Sequence, residues 1–128
     1  MTGTQTQSID RNIEAASRFL DLVTTLSPAN RERIAGDNFG SSAHTSAMLM
    51  IADEITTLRN KDRQGRVGAF LVDVERRVEG MNLTPEQGDL VKGAARAILV
   101  RNNPGLERAT RQLISPFEQV MPNPAAID

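Results

Sequence analysis

The segment LTPEQGDLVKGAARAILVRN, residues 83–102, contains a complete helix start followed by an apolar helical face. Thr84 precedes Pro85, and this pair is typical of a helix N-terminus because the first turn does not use the N–H group that proline lacks. Gln87 stands at the third helical position, where it completes a capping box with Thr84 through reciprocal hydrogen bonds to backbone N–H groups. The segment therefore predicts a helix at 85–102.

The apolar positions of this helix are mostly small. They recur with helical spacing at Val91, Ala94, Ala95 and Ile98, with Gly93 and Ala97 beside them. Small side chains at a contact let two helix axes approach closely. We therefore expect close helix–helix packing along this face.

Apolar residues recur at helical spacing along nearly the whole chain. Other pairs of a capping residue and proline indicate further helix starts at Ser27-Pro28, Asn103-Pro104 and Ser115-Pro116, the last with Glu118 for a capping box. We predict helices at 9–26, 28–37, 42–60, 65–81, 85–102, 104–114 and 116–121. No stretch alternates apolar and polar residues as a half-buried strand does, so no β-sheet is expected. The predicted fold is all-α, a compact bundle of five to seven helices.

Two sequence features bear on how these helices are arranged. The segments LSPANRERIAG at 26–36 and LTPEQGDLVKG at 83–93 align at a constant offset of 57 residues. This offset is consistent with two three-helix halves, although helix starts converge on the same chemistry in any case. The apolar faces at 42–60 and 65–81 fit an antiparallel pair joined by RNKDRQGR, residues 59–66.

The length and composition are typical of one soluble globular domain. A chain of 128 residues can bury a core of its own, and we expect one helical domain at 9–121 between disordered tails at 1–8 and 122–128. There is no cysteine, no long apolar run and no secretory signal at the N-terminus, so we expect a cytoplasmic protein that does not enter the membrane. Four Phe residues without Trp or Tyr leave few surfaces for stacking, and no cofactor is expected.

His44 is the only histidine, and it lies in the first turn of the helix at 42–60, in line with Met48 and Ile51. No second histidine or cysteine is present to share a metal ion, so no metal site is expected. Ser42 and Ser46 lie near His44, but neither an orienting acid nor a nucleophile-elbow motif accompanies them. The sequence thus favours a non-enzymatic protein, with His44 at the edge of the core. A small-ligand contact at His44 is the alternative.

A basic cluster is the strongest functional signal. Arg59, Lys61, Arg63 and Arg66 fall within eight residues and are opposed only by Asp62. Arg76 and Arg77 extend this cluster along the following helix. Positive charge at a helix C-terminus is favourable in itself, so a solvated turn explains part of the cluster. The remaining interpretation is a partner-binding surface for phosphates or an acidic protein.

The leading functional hypothesis is a non-enzymatic protein-interaction or regulatory module that uses amphipathic helix faces and the Arg-rich turn. Its expected partner is another protein, and a homodimer is one such assembly. The first alternative is a DNA-binding regulator with a helix-turn-helix-like segment at 28–60, because two helices there flank a short glycine-containing turn. Residues 9–58 carry four basic and seven acidic side chains, however, so this segment offers few phosphate contacts. The second alternative is a ligand-binding protein or enzyme with a pocket near His44.

Overall fold

The computed structural model describes residues 2–35 and 40–121, with side chains from residue 9 onward except at residue 35. The α-helices are α1 (Thr2–Thr24), α2 (Pro28–Ala35), α3 (Ser42–Lys61), α4 (Arg66–Gly80), α5 (Pro85–Leu99) and α6 (Glu107–Glu118), with a 3₁₀ turn at Pro104–Leu106. No strand occurs within these residues, and the predicted all-α bundle is confirmed.

The first helix begins earlier than the apolar pattern predicts. The pattern places its start at residue 9, whereas α1 starts at Thr2, so the predicted tail at 1–8 is helical from Thr2 onward. Residues 2–8 contain no proline, and each residue added to an existing helix gains one backbone hydrogen bond. The predicted tail at 122–128 lies outside the described residues, and the single-domain assignment at 9–121 stays a prediction.

Capping chemistry fixes the helix starts where the sequence predicted it. Thr84 and Gln87 form both hydrogen bonds of the capping box at the start of α5, each 3.2 Å long. Ser27 Oγ accepts from the N–H of Asn30 at 3.2 Å, and Asn103 Oδ1 accepts from the N–H of Gly105 at 2.9 Å. The Asn103-Pro104 start opens the 3₁₀ turn, from which α6 continues.

The predicted helix start at Ser115-Pro116 is wrong, because α6 runs through Pro116 without a break. Pro116 lies in the last turn of α6, so the one backbone hydrogen bond that it cannot donate is close to the helix end. Pro116 is buried and Phe117 is fully buried, so the apolar face that begins at Ala109 continues to the helix end. The burial of this face outweighs the local signal of Ser115 and Pro116.

Helix α5 lies at the centre of the bundle and contacts each of the other five α-helices. Leu90, Val91, Ala94, Ala95, Ala97 and Ile98 are each exposed by 1% or less. Close approach is most evident at Gly93, where a Cβ atom would lie 2.6 Å from Sδ of Met48 on α3 and 3.8 Å from Leu113 on α6. Three helices therefore meet at the small face that residues 83–102 predicted.

The predicted pairing of the helices at 42–60 and 65–81 is a minor contact in the structure. Helix α3 packs mainly on α6 and touches α4 little beyond the turn that joins them. The two proposed halves also pack differently, since α5 is surrounded whereas α2 makes its main contacts with α5 and α6. In the core between the first and last helices, the rings of Phe19 and Phe117 meet edge to face, with centroids 4.9 Å apart.

Candidate interaction surface

The turn between α3 and α4 is organised by its one acidic residue. The Asp62 side chain is 2% exposed, and its Oδ2 accepts a hydrogen bond from the N–H of Val67 at 2.6 Å. The N–H of Asp62 in turn donates to the carbonyl of Leu58 at 3.0 Å and so closes the end of α3. Gly65 adopts a left-handed conformation, φ 71°, which redirects the chain into α4. The Asp62 carboxylate is therefore buried and hydrogen-bonded within the turn, so it does not neutralise the exposed cations around it.

Two of the six predicted binding residues connect α4 to α1. Arg66 forms an ion pair with Asp10, and its Nε lies 4.0 Å from Asp62 Oδ1. Arg77 forms an ion pair with Asp21 and donates to Ser17 Oγ at 3.0 Å. Each ion pair joins residues 56 positions apart, so α1 and α4 run in the same direction. Arg66 and Arg77 therefore hold two helices together.

A third predicted binding residue, Arg76, is paired within its own helix. Its side chain is 81% exposed and lies 2.5 Å from Asp73 Oδ1. An exposed pair one turn apart is screened by water and contributes little stability. Arg76 therefore remains at the surface with its charge largely balanced by Asp73.

The other three predicted binding residues remain available. Arg59, Lys61 and Arg63 are exposed, and none makes a side-chain ion pair or hydrogen bond with the described part of the chain. The Arg59 side chain extends over the first turn of α4, since a Cβ atom on Gly68 would lie 3.9 Å from its Nε. We call these three residues the basic turn. It presents three uncompensated positive charges at one end of α4.

At the opposite end of α4 lie two carboxylates without an ion pair in the described structure. A groove of about 380 Å³ lies between the C-terminal half of α4 and the first turns of α5. Val78, Leu83 and Pro85 provide part of its apolar lining, and Glu79 and Asp89 provide carboxylates. Both carboxylates are exposed without an ion pair to any described residue, whereas Glu75 in the same groove is paired with Lys92 at 2.7 Å. We call this feature the acidic groove.

Among the side chains that the structure describes, three large apolar ones are exposed, and sequence reasoning singled out none of them. Leu49 and Met50 on α3 are 67% and 45% exposed, and Val72 on α4 is 71% exposed. Val72 lies off the buried stripe of Val67, Phe70 and Val74, and this displacement from the helical period is the signal that could have revealed it.

His44 faces the core. It is 5% exposed and shares the buried face of α3 with Ala47 and Ile51, while its N–H donates to Ser41 Oγ at 3.1 Å. Burial lowers the pKa of its imidazole below the usual value, because desolvation disfavours the charged form. Ser42 and Ser46 are exposed on another side of the helix. Ser42 and Ser46 therefore do not share an open site with the imidazole.

The described residues add little support for a pocket near His44 or for the helix-turn-helix-like segment at 28–60. His44 lines neither the acidic groove nor a second groove of about 660 Å³ along the outer side of α6. In the helix-turn-helix-like segment, Arg31 donates to the carbonyls of Met81 and Thr24, which leaves Arg33 as the exposed cation on α2. Within the residues that the structure covers, no cluster of His, Cys, Asp or Glu is suited to a metal ion. None of the described helices has the length and apolar character needed to cross a membrane.

Comparison with known proteins identifies no relative. No protein-family model, curated protein or solved structure matches this chain. The surface described above therefore provides the basis for a functional proposal.

Proposed function

We propose that this chain is a non-enzymatic protein-interaction module that binds its partner through the basic turn and the adjacent exposed surface of α4. The observation that supports the proposal is the separation of the six clustered cations into two groups. Arg66 and Arg77 are engaged in the fold, and Arg76 is balanced by Asp73. The basic turn keeps three cations without a counter-charge.

Such a concentration of unpaired charge favours an acidic protein surface as the partner. Complementary charges accelerate encounter and select among partners, and their effect weakens as salt screens them. The guanidinium groups of Arg59 and Arg63 also match carboxylates in a two-point geometry that Lys61 does not offer. The partner surface is therefore expected to present clustered Asp or Glu side chains.

The proposal is tested with a double charge reversal, Arg59→Glu with Arg63→Glu. A matched control reverses Arg11 and Arg108, which are also exposed without side-chain ion pairs in the described structure. Tagged wild-type and variant proteins are used for affinity capture from native lysate with and without nuclease treatment. We expect a stoichiometric protein partner to be retained by the wild type and the control and lost from the basic-turn variant.

Equal retention by the basic-turn variant and the control would overturn the proposal. Partners that disappear on nuclease treatment would instead favour the DNA-binding alternative. Circular dichroism of each variant establishes that both remain folded.

A further inference from the structure

The exposed face of α4 has an apolar stretch between the basic turn and the charged residues Glu75 and Arg76. Gly68, Ala69 and Val72 follow one another along this face at spacings of one and three residues, and none carries a polar side chain. Ala69 is exposed and Val72 is 71% exposed, so the face has no covering element in the described structure. Glu79 stands on the same side of the helix, seven residues beyond Val72.

The charges along this face that have no ion pair in the described structure are of opposite sign at its two ends, and Arg76 between them is paired with Asp73. Arg59 lies over Gly68 at the start of α4, where the basic turn adds Lys61 and Arg63. Glu79 lies near the end of α4 and lines the acidic groove. A surface of this kind is complementary to a copy of itself turned end for end.

The two oppositely charged ends lie on the same flank of α4, as a two-fold symmetric pair of helices requires. Gly68, Glu75 and Glu79 are separated by seven and four residues and therefore share one flank of α4. A two-fold axis perpendicular to two antiparallel helices reverses their direction and returns each flank to the same side. With Val72 at the axis, the flank with Gly68 and Arg59 in one copy lies beside the flank with Glu75 and Glu79 in the other. Arg76 stands on the opposite flank, level with Ala69 of the other copy.

We propose that the partner of this face is a second copy of the chain, with α4 packed against α4 in an antiparallel, two-fold symmetric pair. Val72 lies at the axis against its own counterpart, and Arg59 of each copy pairs with Glu79 of the other. The same register places the basic turn of one copy opposite the acidic groove of the other, where Asp89 supplies a further carboxylate. This assembly deepens the proposed function, on which it rests, by naming the partner.

The size of the face indicates a reversible dimer. Helix α4 has 15 residues, and at about 1.5 Å per residue it spans about 22 Å. One helix face of this length with its flanking turns lies at the small end of specific interfaces. We therefore expect a monomer–dimer equilibrium that shifts with protein concentration and weakens with added salt.

The first experiment is sedimentation velocity of the full chain from micromolar to millimolar concentration. Val72→Arg places two like charges at the axis and is expected to weaken self-association by about tenfold or more. Leu49→Arg is the matched control, because Leu49 is an equally exposed apolar residue on α3, at 67% against 71%. A wild type that stays monomeric throughout, or equal loss in both variants, would overturn the proposal.

The second experiment exchanges the charges that the two-fold axis brings together. Arg59→Glu and Glu79→Arg should each weaken the dimer, and the chain that carries both substitutions should regain most of the wild-type association. A double variant as weak as the single variants would contradict the assigned register. Both substituted residues are exposed, so folding is expected to be retained in every variant and is checked by circular dichroism.

The two proposals fail in different ways. If the chain remains monomeric but a different protein is captured in a manner that depends on Arg59 and Arg63, the self-association is wrong and the interaction module stands. If the chain is monomeric and the basic-turn variant captures the same proteins as its control, both proposals are wrong.

Discussion

At the residue scale, His44 links burial to the pH dependence of folding. Its folded pKa lies below the unfolded value near 6.5 because burial removes water from the imidazolium. The unfolded chain therefore binds more protons between these two values, and the free energy of unfolding falls as the pH falls from above 6.5 toward the folded pKa. Above both values the imidazole is neutral in either state and this loss is absent.

We therefore expect urea unfolding to give a lower stability at about pH 5.5 than at about pH 7.5, within the range in which histidine titrates. His44→Gln retains the carboxylates of the chain but removes its only histidine, so its stability should change less over the same interval. Identical pH dependence in the two proteins would show that His44 does not cause the effect.

Gly93 tests the close approach of α3, α5 and α6. A methyl group there would lie 2.6 Å from Met48 Sδ, whereas one at Gly80 in α4 would meet nothing within 4 Å. Gly93→Ala gains about 0.5–1 kcal/mol in helix propensity but overpacks the core at a cost of about 1–3 kcal/mol, whereas Gly80→Ala, at the last residue of α4, meets no such contact. We expect Gly93→Ala to be about 1 kcal/mol less stable than Gly80→Ala in chemical denaturation. In a Met48→Ala background the difference should disappear, and its persistence would place the strain elsewhere.

At the element scale, Asp62 controls the join between α3 and α4. Its buried carboxylate accepts from the N–H of Val67 at 2.6 Å, so Asp62→Ala leaves that donor without its partner. Such a loss destabilises by about 1–3 kcal/mol. Asp53→Ala, on the exposed side of α3, should change the free energy of unfolding by less than about 0.5 kcal/mol. Denaturation of both variants measures the difference, and Asp62→Asn should recover part of it by keeping an acceptor oxygen.

Helix starts could be predicted from the sequence because they depend on neighbouring residues. Thr84, Pro85 and Gln87 lie within one turn and contain the whole capping box, and the structure forms it as the pattern indicates. Ser115 and Pro116 give the same local signal, yet α6 continues through them because Phe117 is buried against Phe19 on α1. The competing contact is 98 residues away in the sequence, and no local pattern reports it.

At the scale of the whole molecule, the pairing of helices could not be predicted either, because it depends on contacts between residues far apart in the sequence. The pattern at 59–77 shows six cations, but Arg66 and Arg77 are engaged by Asp10 and Asp21, which reach them only because α1 and α4 lie parallel. Asn12 is another example: it donates to the carbonyl of Leu99 at 3.0 Å and accepts from Arg101 Nε at 2.8 Å, and so joins α1 to the end of α5. A lone polar residue on an apolar stripe gives no indication of such partners.

The central position of α5 predicts an order of local stability across the bundle. Opening α5 would expose surface on all five neighbouring helices, so its amides should exchange with solvent only when the whole protein unfolds. Helix α2 has eight residues and buries Ile34 as its one fully buried side chain in the described structure, so it should open alone at a lower free energy.

Native-state hydrogen exchange measures this order directly. We expect the amides at 90–99 to give exchange free energies equal to that of global unfolding in urea, with those of α2 well below it. Low concentrations of urea should accelerate the amides of α5 much more steeply than those of α2, because global unfolding exposes far more surface than a local opening. If α2 were as protected and as sensitive to urea as α5, the two helices would belong to one cooperative unit, and the stability of the bundle would be shared evenly rather than concentrated around α5.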